Sequence, residues 1–196
     1  MSIQQLTLII VLAPLFGAVI AGFFRNQIGR VGAHSVTIAG LLISFVLSIQ
    51  VAYAILFGGQ EILNHDLYTW ANGGSFFSYS FNIGFLIDPL TVVMLMVVTF
   101  VSLLVHIYSV GYMADDPGYQ RFFSYISLFT FMMLMLVTAN NFLQLFFGWE
   151  GVGLVSYLLI GFWYDRESAN QGSLKAFLVN RVGDFGFILG LSLIHI

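Results

Sequence analysis

Six apolar runs of spanning length limit this chain to very few folds; they lie at about 3 to 24, 36 to 57, 89 to 113, 119 to 138, 141 to 163, and 173 to the end. A run of roughly 20 apolar residues crosses a bilayer core as an α-helix. The expected fold is an all-α polytopic membrane protein of about six transmembrane helices. Composition agrees: 59% of residues are hydrophobic and only 8% charged, against roughly 25% charged in a soluble domain. The first run begins almost at Met1, lacks a basic leader and is too long for a signal-peptide core, so it reads as an uncleaved span. The sequence closes inside an apolar stretch and is expected to be the N-terminal part of a longer protein, with no weight placed on its last residues, His195 included.

The residues absent or scattered exclude several functions. There is no cysteine, hence no disulfide, iron-sulfur ligation or thiolate metal site. His34, His65, His106 and His195 show no ligand spacing, so neither a haem pair nor a metal centre is expected. The net charge of -3 points to no nucleic-acid partner. In a redox system, the electrons would travel through other chains.

Basic residues sort by side. Arg25 and Arg30 fall between spans one and two, Arg121 between three and four, and Arg166 and Lys175 between five and six; Arg181 lies inside span six. The positive-inside rule then puts these loops in the cytoplasm or matrix and the N-terminus outside. The long outer segment holds Phe77, Tyr79, Phe81 and Ile83 alternating with Ser78, Ser80 and Asn82, preceded by Asp66 to Trp70 and Ala71-Asn72-Gly73-Gly74. It reads as a β-hairpin, or else as an irregular aromatic loop. Asp88 and Pro89 open span three as N-cap and first-turn proline. The chain thus divides into helices one and two (1–57), the outer hairpin (58–88) and helices three to six (89–196).

Against this background the interior charges stand out. Glu150 lies roughly 15 Å from either end of its run at about 1.5 Å per residue. Arg181 and Asp184 lie roughly 12 and 16 Å beyond Ser173, at similar depth, and three residues apart they share a helix face. Each such charge costs about 2.5 to 3.5 kcal/mol to insert, so three total roughly 8 to 10 kcal/mol before pairing, as much as the whole stability of a typical domain. A passive bundle gains little from them. Burial and a neighbouring cation act in opposite senses on a carboxylate's hold on its proton, so moving the cation switches the group between holding and releasing it.

The candidate proton-transfer residues are therefore Glu150, Arg181, Asp184, Lys175 and His106, the last two lying in the inner half and forming a path towards the midplane. Each also has a structural reading. Arg181 and Asp184 can be an intrahelical pair that locks packing. Lys175 reads first as a snorkelling interface residue, and His106 as a satisfied bundle histidine. Gly148, Gly151 and Gly153 beside Glu150 leave room for a helix or water, and Trp149 is too deep for the interfacial belt that suits Trp163 and Tyr164. Gly183, Gly186 and Gly190 form a stripe on span six that is expected to pack against protein.

The segments GWEGVGLVSYLLIGFW, KAFLVNRVGD and DPLTVVMLMVVTFVSLLVHIYSVGYM resemble the antiporter-like subunit L (chain 5) family of NADH:quinone oxidoreductase, respiratory complex I, and the likeness runs over nearly the whole chain. Pro89 and the final LSLIHI are where it departs. The resemblance implies a larger bundle with two inverted five-helix repeats and broken helices, of which this chain holds the peripheral helices and the start of the first repeat. It also implies that Glu150, Arg181, Asp184 and His106 match the family's functional positions and that Glu150 pairs with a lysine on a later helix. The implied activity is that of a translocase subunit of NADH:ubiquinone reductase. It moves protons through buried charges in a bacterial inner membrane, with other membrane-arm subunits and the lipid bilayer as partners. No cofactor is expected in this chain; flavin, iron-sulfur clusters, NADH and quinone belong to other subunits. Two further readings stay open: a subunit of a multisubunit sodium/proton antiporter, and a structural scaffold whose buried charges serve packing alone.

Overall fold

The computed structural model describes residues 2–59, 61–72 and 80–194. Six helices carry the expected spans: α1 (Ile3–Phe23), α2 (Arg25–Leu56), α3 (Pro89–Tyr112), α4 (Tyr119–Val137), α5 (Phe142–Ile160) and α6 (Glu167–Ile194). All six are long and apolar enough to cross a bilayer. Between α2 and α3 lies an antiparallel pair, β1 (Leu63–Asn72) and β2 (Ser80–Ile87). The chain is a multi-pass integral membrane protein.

Two helix starts differ from the hydropathy reading. α6 begins at Glu167, ahead of the apolar run, because its polar first turns are good helix: Gln171 donates to Glu167 at 3.0 Å and Glu167 sits favourably at the helix's positive end. Arg181 thereby falls near the middle of a 28-residue helix. α2 begins at Arg25 and is broken at Gly29, whose φ of 64° suits glycine. Arg25 and Arg30 therefore sit on helical backbone either side of a kink. The kink aims Arg30 at the α3–α4 turn, where its guanidinium donates to the carbonyls of Ala114 and, at 3.0 Å, Asp116. Arg121 donates to the Phe162 carbonyl at 2.9 Å on the same end, so the basic residues do share one side.

The hairpin is longer than its sequence pattern suggested. β1 runs from Leu63 through Asn72, and register shifts between Asp66 and Tyr68 and between Thr69 and Ala71 mark bulges. The turn residues Gly73 and Gly74, and Phe77, Ser78 and Tyr79 of the expected alternation, lie outside the described residues. Phe85 and Ile87 on β2 are buried with Ile10, Val11, Ile55, Leu95 and Leu134, so the hairpin caps the α1–α4 bundle. Leu86 N–H donates to the Thr138 carbonyl at 3.0 Å and Gly84 N–H to Gln144 Oε1 at 2.9 Å, fixing the pair to α4 and α5. Asp88 caps α3 by accepting from Thr91 N–H at 2.7 Å, with Pro89 in the first turn, as expected.

Helix packing follows from how polar groups are satisfied in hydrocarbon. Pro14, inside α1, has no N–H, so the Ile10 carbonyl four residues earlier loses its intrahelical donor. Ser44 of α2 supplies one at 2.9 Å. α4 is attached likewise: Ser127 donates to the Pro14 carbonyl and Ser124 to the Ala18 carbonyl, both at 2.8 Å. A Cβ on Gly148 would lie 2.7 Å from Leu136 Cα, so glycine there sets the close approach of α5 to α4. α6 packs chiefly on α5.

Ser44→Ala should cost about 1 kcal/mol of stability in detergent unfolding. In a Pro14→Ala background, where Ile10 regains its intrahelical donor, that cost should shrink.

Candidate functional site

The α5–α6 interface brings together three of the five residues singled out in the sequence. Glu150 on α5 forms an ion pair with Arg181 on α6. Arg181 Nε stands 3.1 Å from Asp184 Oδ2, one turn along the same helix, in ion-pair contact without hydrogen-bond geometry. Asp184 Oδ1 in turn accepts from Trp149 Nε1 at 2.7 Å. Since Trp149 and Glu150 are consecutive, the four side chains close a ring between the two helices, gripped from α5 at both ends.

Neighbouring residues hold this ring in place. Phe187 stacks on Trp149 with ring centroids 5.5 Å apart. Phe177 lies 5.0 Å beneath the Arg181 guanidinium, a cation–π contact. A Cβ on Gly153 would meet Arg181 Nη2 at 3.1 Å, so glycine at this position leaves the guanidinium its place. Asp184 is buried, whereas the side chains of Glu150 and Arg181 keep partial exposure. The formal count is two carboxylates to one guanidinium. The site therefore carries one negative charge in excess at mid-span, which a proton or a second cation would neutralise.

The other two residues lie apart from the ring. His106 is fully buried between α3 and α4: its Nδ1 bonds the Ser102 carbonyl at 2.8 Å, its ring meets Phe123 edge to face, and its Nε2 has no partner. Lys175 is exposed on α6 and forms no ion pair or hydrogen bond among the described residues. The expected path past them to Glu150 is not assembled by this structure. Within this chain Glu150's counter-ion is Arg181. The stripe of Gly183, Gly186 and Gly190 meets no described residue within 4 Å of the positions their Cβ atoms would take, and Val182 and Phe185 beside it are exposed.

Phe177 and the donor role of Trp149 escaped the sequence reading, whereas the room expected at Gly153 is taken by the Arg181 guanidinium. Trp149 carried a signal, an indole too deep for the interfacial belt and adjacent to a buried carboxylate, because a buried indole N–H seeks an acceptor.

Two family models match. One, described as NADH-ubiquinone oxidoreductase (complex I), chain 5 N-terminus, covers residues 70–123. The other, NADH:quinone oxidoreductase/Mrp antiporter, TM, covers residues 139–196 and hence the whole ring. NADH-quinone oxidoreductase subunit L of Neisseria meningitidis serogroup A is 58% identical over 99% of this chain and 28% of the relative. The corresponding figures are 52%, 96% and 28% for subunit L of Rickettsia typhi, and 50%, 94% and 27% for NADH-ubiquinone oxidoreductase chain 5 of Arabidopsis thaliana. The chain thus spans little more than a quarter of the length of these relatives. A chain in the structure of the membrane-bound sulfane sulfur reductase, an archaeal respiratory membrane complex, superposes with a TM-score of 0.73 at 19% identity, covering 95% of this chain and 27% of that one. That likeness bears out the fold.

Trp149→Phe keeps the stack on Phe187 but removes the donor to Asp184. It should destabilise the protein by about 1 to 3 kcal/mol in detergent unfolding, and the loss should shrink when Asp184→Asn is already present.

Proposed function

We propose, for a chain that belongs to the subunit L and chain 5 family of NADH:quinone oxidoreductase, that it moves protons across the membrane through the Glu150–Arg181–Asp184 ring, driven by quinone reduction elsewhere in the complex. The observation that carries this reading is the charge imbalance at mid-span: one guanidinium held between two carboxylates on neighbouring helices. In such a ring Arg181 can lean towards Glu150 or towards Asp184. A carboxylate losing its cation in a poorly solvated place takes up a proton, and one regaining the cation releases it. Trp149 anchors one end by orienting Asp184 through its N–H, leaving Glu150 as the group that exchanges the proton.

In this reading Lys175 and His106 serve the loop side of the path. His106 is supported by its unpartnered Nε2, and Lys175 by its place on the same helix as Arg181. The grouping of Arg25, Arg30, Arg121 and Arg166 on one end supports an N-terminus on the outer side, with the bacterial inner membrane as the site. The partners in this reading are the other membrane-arm subunits, and the flavin, iron-sulfur clusters, NADH and quinone are assigned to other subunits of the complex, with no cofactor assigned to this chain. The antiporter alternative shares the family description over residues 139–196, but the relatives' names favour the oxidoreductase.

Glu150→Gln in the complete, assembled complex should lower NADH-driven proton pumping severely while quinone reductase subunits still co-purify. Full pumping in an assembled mutant would sink the role given to Glu150. Sodium flux without NADH oxidation, and without flavin or iron-sulfur partners, would favour the antiporter.

A further inference from the structure

Between the loops and the ring, α5 and α6 meet along one face of each helix. On α5 that face carries Glu150, Gly153, Tyr157 and Gly161, spaced i, i+3, i+7 and i+11; on α6 it carries Ser173, Phe177, Arg181 and Asp184, spaced i, i+4, i+8 and i+11. The contacts run in the same order. A Cβ on Gly161 would meet Ser173 Oγ at 3.1 Å, the Tyr157 and Phe177 rings lie 5.4 Å apart, and the Arg181 guanidinium takes the space beside Gly153 on its way to Glu150.

At the loop end of this seam is a cavity of about 220 Å³ whose wall includes Tyr125, Tyr157, Tyr164, Asn170 and Ser173. At roughly 30 Å³ of liquid per molecule it has room for several waters. Tyr164 and Asn170 are exposed, so the cavity reaches the loop surface. The hydroxyls of Tyr125 and Tyr157 form no hydrogen bond among the described residues, and neither is sealed from water. Arg121, also in the wall, is committed to the Phe162 carbonyl at 2.9 Å. Tyr157 is therefore the residue at which a polar, water-sized space gives way to the apolar part of the seam.

From Tyr157 to Glu150 is two helical turns, roughly 10 Å. Two groups block that stretch: the Phe177 ring, and the Arg181 guanidinium in the room left by Gly153. They are coupled. Phe177 lies one turn before Arg181 and 5.0 Å beneath its guanidinium, whereas Asp184 lies one turn beyond. A guanidinium that leans from Glu150 towards Asp184 leaves Phe177 and the space at Gly153 together.

We propose that Tyr157 and Phe177 form a gate operated by Arg181. With Arg181 on Glu150 the seam is shut. With Arg181 leaning towards Asp184, Phe177 loses the cation that holds it and the room at Gly153 admits water. The Tyr157 hydroxyl, both donor and acceptor, then positions that water to carry a proton from the cavity to Glu150. Loop-side uptake is thereby confined to the state in which Glu150 has lost its cation. The gate rests on the reading of Glu150 as the exchanging group and gives the loop side of its path a course along α5 and α6.

The test uses the complete complex in sealed vesicles. Tyr157→Phe keeps the ring contact and removes the hydroxyl; protons pumped per NADH should fall several-fold and the solvent deuterium isotope effect on pumping should rise, which a packing role would not produce. Phe177→Leu removes the aromatic layer; labelling of Glu150 by a water-soluble carbodiimide supplied at the loop side should increase several-fold, and this arm carries the test if Tyr157→Phe does not assemble. Full pumping with an unchanged isotope effect in Tyr157→Phe, or unchanged labelling in Phe177→Leu, would overturn the gate. Glu150→Gln measured alongside tells the two readings apart: loss of pumping there with full pumping in Tyr157→Phe removes the gate alone, and full pumping in Glu150→Gln removes the role of Glu150 and the gate with it.

Discussion

Inside hydrocarbon little water is available to satisfy a polar group, so a buried donor, acceptor or charge is stabilised chiefly by partners within protein. Helix order follows from that constraint. Pro14 frees the Ile10 carbonyl, Ser44 answers it, and Ser127 and Ser124 fasten α4 to the same helix, so α1 becomes the element on which α2 and α4 are registered. The hairpin is tied down the same way, through Gln144 and the Thr138 carbonyl. Cation placement at the opposite end obeys the rule too, with Arg30 and Arg121 each donating to carbonyls in the loops.

The Glu150–Arg181–Asp184–Trp149 ring is the costliest instance. Beside the aromatic pairs between α5 and α6, the two helices are joined at mid-span by charge and by one indole N–H, and the pairing leaves one carboxylate over among these residues. Structural ion pairs gain most when their charges cancel and every lone pair is met. This ring does neither, and Arg181 Nε lacks good hydrogen-bond geometry to Asp184. An imbalance of that kind suits a group that changes protonation during a cycle, and suits a passive brace poorly.

Much of the fold was legible in the sequence because membrane spans declare themselves by length and hydropathy, and because Asp88-Pro89 is a local helix-start signal. The start of α6 was not, since hydropathy sees Ser173 onwards and is blind to a polar but helical Glu167–Gly172. The bend at Gly29 was missed for a related reason: a single left-handed glycine leaves no mark on an apolar profile. Depth along each helix placed Glu150, Arg181 and Asp184 at one level correctly. It could not give azimuth: His106 points into the α3–α4 contact and Lys175 stands exposed, both apart from the ring.

In the proposed cycle Glu150 exchanges a proton as Arg181 shifts. Infrared difference spectroscopy of the working complex, with isotope-labelled glutamate, observes that event directly. A protonated-carboxyl band should appear on addition of NADH, move with the glutamate label and vanish in Glu150→Gln. A complex that pumps protons with no glutamate carboxyl signal dependent on Glu150 would contradict it.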